Sequence, residues 1–228
     1  MEKEDVKPLL IAIDGPAGAG KTTVSRMLAD RLGFLYVDTG ALYRGVAFEV
    51  ASRGIDPEDE EALSALAADL DLKFGHTEKG VHLFSGGKDI TNNIRTPEIT
   101  MLASAVSAKP VVREALLGVQ KQLGAKKAAV FEGRDMGTVV FPDADVKFFL
   151  IADIEARARR RFLEYKDAGS QSFEDVLEDM KKRDGNDSSR AIAPLKPADD
   201  AVVIDSTKLP PASVVDQMVA VVLLKQGA

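Results

Sequence analysis

The chain contains no cysteine, which excludes disulfides, thiolate catalysis and cysteine-ligated zinc. Histidine is scarce. The two present, His76 and His82, fall in a stretch that reads as a small hairpin, where they are expected at the surface and not as ligands. A basic excess is also missing: 30 Lys and Arg stand against 36 Asp and Glu, a formal net charge of −6. That balance argues against a nucleic-acid partner but leaves small anions open, because local arginines decide those. No long apolar run is present. The stretch Val214–Leu224 is interrupted by Asp216 and Gln217 and falls short of the roughly 18 residues that a membrane span needs. The opening Met1-Glu2-Lys3-Glu4-Asp5 lacks the apolar centre of a signal peptide. The expected location is the cytoplasm, and the acidic surface points to a monomer.

What is present is a chain of 228 residues, 45% hydrophobic and 29% charged. That suits one large α/β domain, or a core domain with an insertion. Gly15-Pro16-Ala17-Gly18-Ala19-Gly20-Lys21-Thr22 fits the phosphate-binding loop G-x-x-x-x-G-K-[ST]. It lies between an apolar strand, Leu9–Ile13, and a helical stretch that begins at Thr23. Its glycines let backbone N–H groups face a phosphate chain, and the following helix aims its positive end at the same anion. Residues Gly15 to Thr23 are therefore the expected nucleotide-binding segment. Lys21 would bridge the outer phosphates and Thr22 would ligate Mg²⁺.

Further along, Val24, Met27, Leu28 and Leu32 share one helical face, and Gly33 ends that helix. Phe34–Val37 reads as a second strand, and Asp38-Thr39-Gly40 caps a helix to about Arg53. Asp56-Pro57 is expected to open another helix. Between about Leu72 and Ile94, short alternating pieces separated by glycines predict an antiparallel meander. Helices are expected at about 97–107 and 111–123. Strands return at Ala128–Phe131, ending at Glu132, and at Val146–Ile151. Helices follow at about 153–168 and 172–184, the latter opened by the capping-box pattern Ser172-Phe173-Glu174-Asp175. Val202–Ile204 is the last strand and 211–225 the last amphipathic helix. Strands spaced by helices predict a parallel sheet covered on both faces. Ligands of such sheets sit beyond the carboxyl ends of the strands, here Asp14 onward, Asp38 onward, Glu132 onward and the segments after Ile151.

Those places are rich in arginine. Glu132-Gly133-Arg134-Asp135-Met136-Gly137-Thr138 follows a strand directly, as a charged loop or a solvated turn. Arg44 lies one turn into its helix. Arg157, Arg159, Arg160 and Arg161 crowd one helix, either as an exposed face paired with Glu155, Glu164 and Asp167 or as a cover over triphosphate oxygens. Arg183, Asp187 and Arg190 line one face if the helix continues through Gly185-Asn186. Guanidinium forks suit phosphate oxygens, and a carboxylate among them suits a sugar hydroxyl. Together these point to phosphoryl transfer from a donor on the phosphate loop to an anionic acceptor, with catalysis by positioning and charge neutralisation.

These residues resemble the bacterial-type cytidylate kinases. The carriers are Ile13–Lys21, Asp38-Thr39-Gly40-Ala41-Leu42-Tyr43-Arg44, Ile94–Ile99, Val112–Leu116, Gly133–Ala144, Arg183-Asp184 to Asp187, and Arg190–Leu195. The resemblance implies a P-loop nucleoside monophosphate kinase fold: an α/β domain over 1–228 with a five-stranded parallel sheet, flanking helices and a small antiparallel insertion. Its core would span about 8–65 and 106–225. The insertion on the acceptor side would span about 66–105, and a lid about 155–190. It implies ATP-dependent phosphorylation of CMP and dCMP, with Mg²⁺. By matching position, Ser104, Arg113 and Asp135 would face cytosine, Arg183 and Asp187 the sugar, and Arg44, Arg134 and Arg190 the acceptor phosphate. Thr39 belongs to the same substrate set. Lys21, Arg134, Arg157 and Arg190 would be catalytic. Glu132 stands where Asp is expected, and Ala17 where Ser is common. Competing readings are another acceptor, such as UMP, AMP or shikimate, and a nucleotide-dependent switch. The switch would need an N/T-K-x-D segment, and Thr207-Lys208-Leu209-Pro210 lacks the Asp.

Overall fold

A computed structural model describes residues 7–78, 80–165 and 172–226. Two compact units make up the chain, one of Met1–Asp38 with Leu123–Ala228, the other of Thr39–Gln122.

The first unit holds a five-stranded sheet in the order β2-β6-β1-β7-β8. Its strands are β1 (Leu10–Asp14), β2 (Leu35–Asp38), β6 (Ala129–Glu132), β7 (Val146–Ile151) and β8 (Val202–Asp205), and every pairing is parallel. All five residues of β1 are buried, as its unbroken apolar run requires of a central parallel strand. Helices α1 (Lys21–Leu32) and α8 (Pro211–Gln226) supply Val24, Leu28, Val214, Met218 and Val222 to a core shared with Ile11, Ile13, Val130, Phe148 and Leu150. Gly33 stops α1 with a left-handed φ of 70°, as its position predicts. Helices α6 (Ile154–Tyr165) and α7 (Phe173–Ser189) share a smaller cluster of Ala158, Val176 and Met180.

The second unit contains α2 (Thr39–Ser52), α3 (Glu60–Ala68), the antiparallel strands β3 (Leu72–Thr77), β4 (Gly80–Ser85) and β5 (Lys88–Asp89), α4 (Pro97–Val106) and α5 (Pro110–Gly124). Leu42, Leu63, Leu83, Ile90 and Leu116 are fully buried in its core. The stretch 66–105, expected as an insertion, falls inside this unit.

The parallel five-stranded sheet, its helices and the small antiparallel meander match the expected fold class. Several local expectations do not hold. Asp56-Pro57 forms a turn and not a helix start, because Asp56 Oδ1 accepts the Glu58 N–H at 2.9 Å. The cap is Asp59, whose Oδ1 accepts from Ala62 N at 3.0 Å. Helix α7 passes through Gly185-Asn186 to Ser189. A helical glycine costs about 1 kcal/mol, offset here by the bonds of Asp187 described below. The capping box of Ser172 and Asp175 is formed as expected. A π-turn, Met136–Val140, was not foreseen. His82 is half-buried, its Nδ1 2.6 Å from Asp89 Oδ2. The side chain of His76, the expected helix end at 166–168, the partner Asp167 and the segment Met1-Glu2-Lys3-Glu4-Asp5 lie outside the described residues. Among the described residues, no helix is long and apolar enough to cross a membrane.

One glycine of the phosphate loop is irreplaceable on steric grounds. Gly15 has φ of 145°, and a Cβ there would sit 2.1 Å from the carbonyl oxygen of Leu150 in β7. Backbone cannot yield as a side-chain tip can. Gly15→Ala is expected to cost at least about 2 kcal/mol of stability, read as a lower denaturation midpoint in urea.

Candidate active site

In the first unit, β1 runs straight into the phosphate loop, and α1 begins at Lys21. Lys21 is buried, and its Nζ donates to the Pro16 carbonyl at 2.7 Å. Burial and the nearby Arg134 guanidinium push this amine well below the usual lysine range, with Glu132 opposing them. The loop is braced from behind. Buried Arg157 of α6 donates to the carbonyls of Ala17 (3.1 Å) and Ala152 (2.8 Å) and pairs with Asp184 of α7 at 2.7 Å. Arg160 donates to Ser206 O at 2.6 Å and to Gly18 O at 3.4 Å. Ser206 Oγ in turn donates to Ala19 O at 2.9 Å. Gly18 leaves room for this packing, since a Cβ would lie 2.9 Å from Met180 and 3.0 Å from Arg157. Of the four crowded arginines, Arg159 is exposed and Arg161 pairs with Glu164 at 2.8 Å. Arg157 and Arg160 are not part of an exposed face. Helical i,i+4 partners account for only some of the four, and the sequence does not say which of the others turn inward.

At the end of β6, Glu132 is buried and receives two hydroxyls. Tyr36 donates to Oε1, and Thr22 donates to Oε2 at 3.2 Å. Burial raises the Glu132 carboxyl, and Asp38 adds to the rise. Burial also drives the Tyr36 phenol up, with Asp38 and Glu132 adding to it, so Tyr36 stays a donor. The longer Glu in place of Asp is thus accommodated by a phenol on β2. Thr22 Oγ beside a carboxylate oxygen is a hard-oxygen pair of the kind Mg²⁺ accepts. Among the described residues there is no cluster of three or more His, Asp or Glu able to hold a metal by themselves.

The turn after β6 carries Arg134 and Asp135. Arg134 Nε donates to Asp187 Oδ2 at 3.0 Å, and its Nη1 to Gly133 O at 3.2 Å. Asp187 is buried on α7, where burial raises its carboxyl but Arg134, Arg183 and Arg190 together bring it below the ordinary value. Arg190 caps α7, and its Nε donates to Asp187 O at 3.3 Å. The four residues Arg134, Arg183, Asp187 and Arg190 are therefore one charge cluster. Asp135 is buried. Asp14, which the sequence placed at a ligand-binding strand end without assigning it a bond, accepts the N–H groups of Met136 (2.9 Å) and Gly137 (2.7 Å). Burial pushes its carboxyl up to about 6 against those two bonds.

In the second unit, Thr39 and Arg44 lie on α2, with Thr39 buried. The turn between α4 and α5 brings Ser104 and Arg113 together. Ser107 Oγ donates to Ser104 O at 2.9 Å, and Arg113 Nη1 donates to Ser107 O at 3.2 Å. Arg113 lies over the Tyr43 ring at 5.7 Å, a cation–π distance. Ser104 Oγ is buried with no hydrogen-bond partner among the described residues.

Known proteins share this architecture. By structure, the chain is similar to an uncharacterized protein from Eubacterium ventriosum, with a TM-score of 0.52 and 13% identity over 94% of this chain and 98% of that one. It is also similar to a gluconokinase from Sinorhizobium meliloti, with a TM-score of 0.50 and 14% identity over 98% and 96%. These show the fold alone. By sequence, it is 47% identical to a cytidylate kinase of Geobacter sulfurreducens over 96% of this chain and 95% of that protein. It is 49% identical to one of Shouchella clausii over 87% and 89%. The cytidylate kinase family profile matches residues 11–223, and this chain belongs to that family.

Proposed function

We propose that the protein transfers the γ-phosphoryl group of ATP to CMP and dCMP, giving CDP and dCDP. One observation carries the reading. The strand that feeds the phosphate loop, β1, pairs with β6, whose carboxyl end presents Arg134 and buried Asp135. Donor-gripping and acceptor-gripping groups thus stand at neighbouring strand ends, where ligands of such sheets bind.

The phosphate-loop amides of Gly15 to Thr23 and the ammonium of Lys21 hold the donor phosphates. Lys21, Arg134 and Arg190 neutralise charge as it spreads over the transferred group. Arg157 acts from the lid, 155–190, by holding the Ala17 carbonyl and so the shape of the loop. The acceptor is already an anion, so its phosphate oxygen attacks without a general base, and Arg44, Arg134 and Arg190 lower its repulsion from the donor. Asp187 and Arg183 take the sugar hydroxyls. Cytosine presents an amino donor beside ring-nitrogen and carbonyl acceptors. Asp135 accepts from the amino group, while Arg113 and Ser104 donate to the acceptors. The bare Ser104 hydroxyl supports that role. Thr39 opens the helix that carries Arg44, and the stretch 66–105 belongs to the acceptor side. Mg²⁺ would be held by Thr22, with Glu132 behind it, and would supply positive charge to the β- and γ-phosphates.

The test is product analysis with ATP and Mg²⁺ and each of CMP, dCMP, UMP, AMP and GMP. Fast CDP and dCDP formation with slow UDP is expected. Transfer without preference for cytosine removes the base assignment, and no transfer removes the activity. Asp135→Ala carries the finer prediction. Uracil offers a carbonyl where cytosine offers its amino group, so the variant should lose roughly 1–3 kcal/mol of discrimination, about fivefold to 150-fold in the CMP-to-UMP ratio of kcat/KM. An unchanged ratio contradicts readout by Asp135.

A further inference from the structure

Asp14 is the last residue of β1 and the one before Gly15 of the phosphate loop. Its carboxylate nevertheless serves the next strand's loop. Oδ1 takes the N–H of Met136 at 2.9 Å, and Oδ2 that of Gly137 at 2.7 Å. Those two amides open the π-turn Met136–Val140. The first N–H groups of any helical turn point away from its own carbonyls and need an outside acceptor. The turn closes on Asp135, whose carbonyl accepts from Val139 (2.9 Å) and Val140 (3.2 Å). Asp14 at one end and this closure at the other bracket Asp135. Gly137 fits the same arrangement, since a Cβ there would lie 3.4 Å from Asp14 Oδ2 and 3.1 Å from Lys147 Cδ. Lys147 itself is fixed by Asp200 at 2.9 Å and by the Pro142 carbonyl. The amides therefore have little freedom to find another acceptor.

We propose that Asp14 is a positioning residue for acceptor specificity: by holding the amides of Met136 and Gly137, it sets the Arg134–Asp135 turn against the carboxyl end of the donor strand. The side chain of the residue that precedes the phosphate loop thereby fixes the group that reads the base. This rests on the reading of Asp135 as a base contact.

The test is Asp14→Asn, which keeps shape but turns an amino group toward one of the two N–H donors. Displacement of a reacting group by about 1 Å can cost on the order of a hundredfold. The expected result is a kcat/KM for CMP lower by on the order of tenfold to a hundredfold, with a smaller CMP-to-UMP ratio. Affinity for a fluorescent ATP analogue should stay within about threefold of wild type, and amide exchange at Met136 and Gly137 should accelerate. An equal loss of donor affinity overturns the proposal, since Asp14 would then only support the phosphate loop. Unchanged CMP kinetics overturn it too. If Asp14→Asn does not fold, Asp14→Ser removes one acceptor at smaller volume and is read the same way. Asp135→Ala separates the two ideas. Unchanged base preference there removes the base contact itself, whereas lost preference there with Asp14→Asn unaffected removes only the role of Asp14.

Discussion

Lys21→Ala lowers phosphoryl transfer by on the order of a thousandfold or more, the scale of removing one preorganised charge from a developing transition state. The side chain sits at the first residue of α1, next to Arg134 and Arg183, so the site concentrates positive charge where a triphosphate carries negative charge. Its loss also removes an ammonium whose burial is unfavourable, which offsets the lost packing of its stem. The melting temperature should therefore stay within a few degrees of wild type, a shift of about 1 kcal/mol or less. Lys21→Arg should not restore turnover, because a planar fork cannot replace a compact ammonium bonded to the Pro16 carbonyl. Steady-state CDP formation and thermal unfolding check both halves. Turnover near the wild-type level would contradict the phosphate-loop assignment.

Much of the fold was legible because several signals agreed at the same residues. The glycines and Lys21 lie between an apolar run and a helical pattern, Gly33 ends α1 with positive φ, and Ser172 with Asp175 makes both bonds of its capping box. Elements failed where two local rules competed. Asp56-Pro57 looks like a helix start, but the Asx turn of Asp56 takes it, and the helix begins only after the Asp59 cap. Gly185-Asn186 looks like a stop, yet Asp187 is tied on both sides. Its carboxylate takes Arg134, and its carbonyl takes the Leu195 N–H at 2.8 Å.

The site was legible as residue types at strand ends and not as bonds. Tyr36 reads as an apolar residue of a short strand, and only the register of β2 with β6, which sets Asp38 against Glu132, brings its phenol to that carboxylate. Arg157 and Arg160 read as part of a charged helix face or as a cover over triphosphate oxygens. Apart from Asp184, their partners named above include the carbonyls of Ala17, Gly18 and Ser206, atoms that every residue possesses and no pattern can flag. Asp14 was placed at a strand end, but its bonds escaped for the same reason, since its donors are backbone amides more than 120 residues away.

The Arg134–Asp187 pair gives the second large effect. Arg134→Met should lower kcat on the order of a hundredfold to a thousandfold, because in the proposed assignment one guanidinium serves the transferred and the acceptor phosphates. Asp187→Asn removes the carboxylate that fixes Arg134 Nε at 3.0 Å, and should lower kcat/KM for CMP by on the order of tenfold. If Asp187 acts through Arg134, the double variant is no worse than Arg134→Met alone, whereas independent roles would multiply the two losses. Acid provides a second readout. Arg134, Arg183 and Arg190 hold the Asp187 carboxyl below its ordinary 3.8 in the folded protein, against the upward push of burial. The charged pair therefore stabilises the fold above pH 3.8, and that contribution fades as pH falls through the lower folded value. Wild type should unfold at a higher temperature than Asp187→Asn near neutral pH, and the gap should close below pH 3.8. A gap independent of pH, together with multiplicative kinetic losses, would separate Asp187 from Arg134 and leave it only its proposed contact with the sugar.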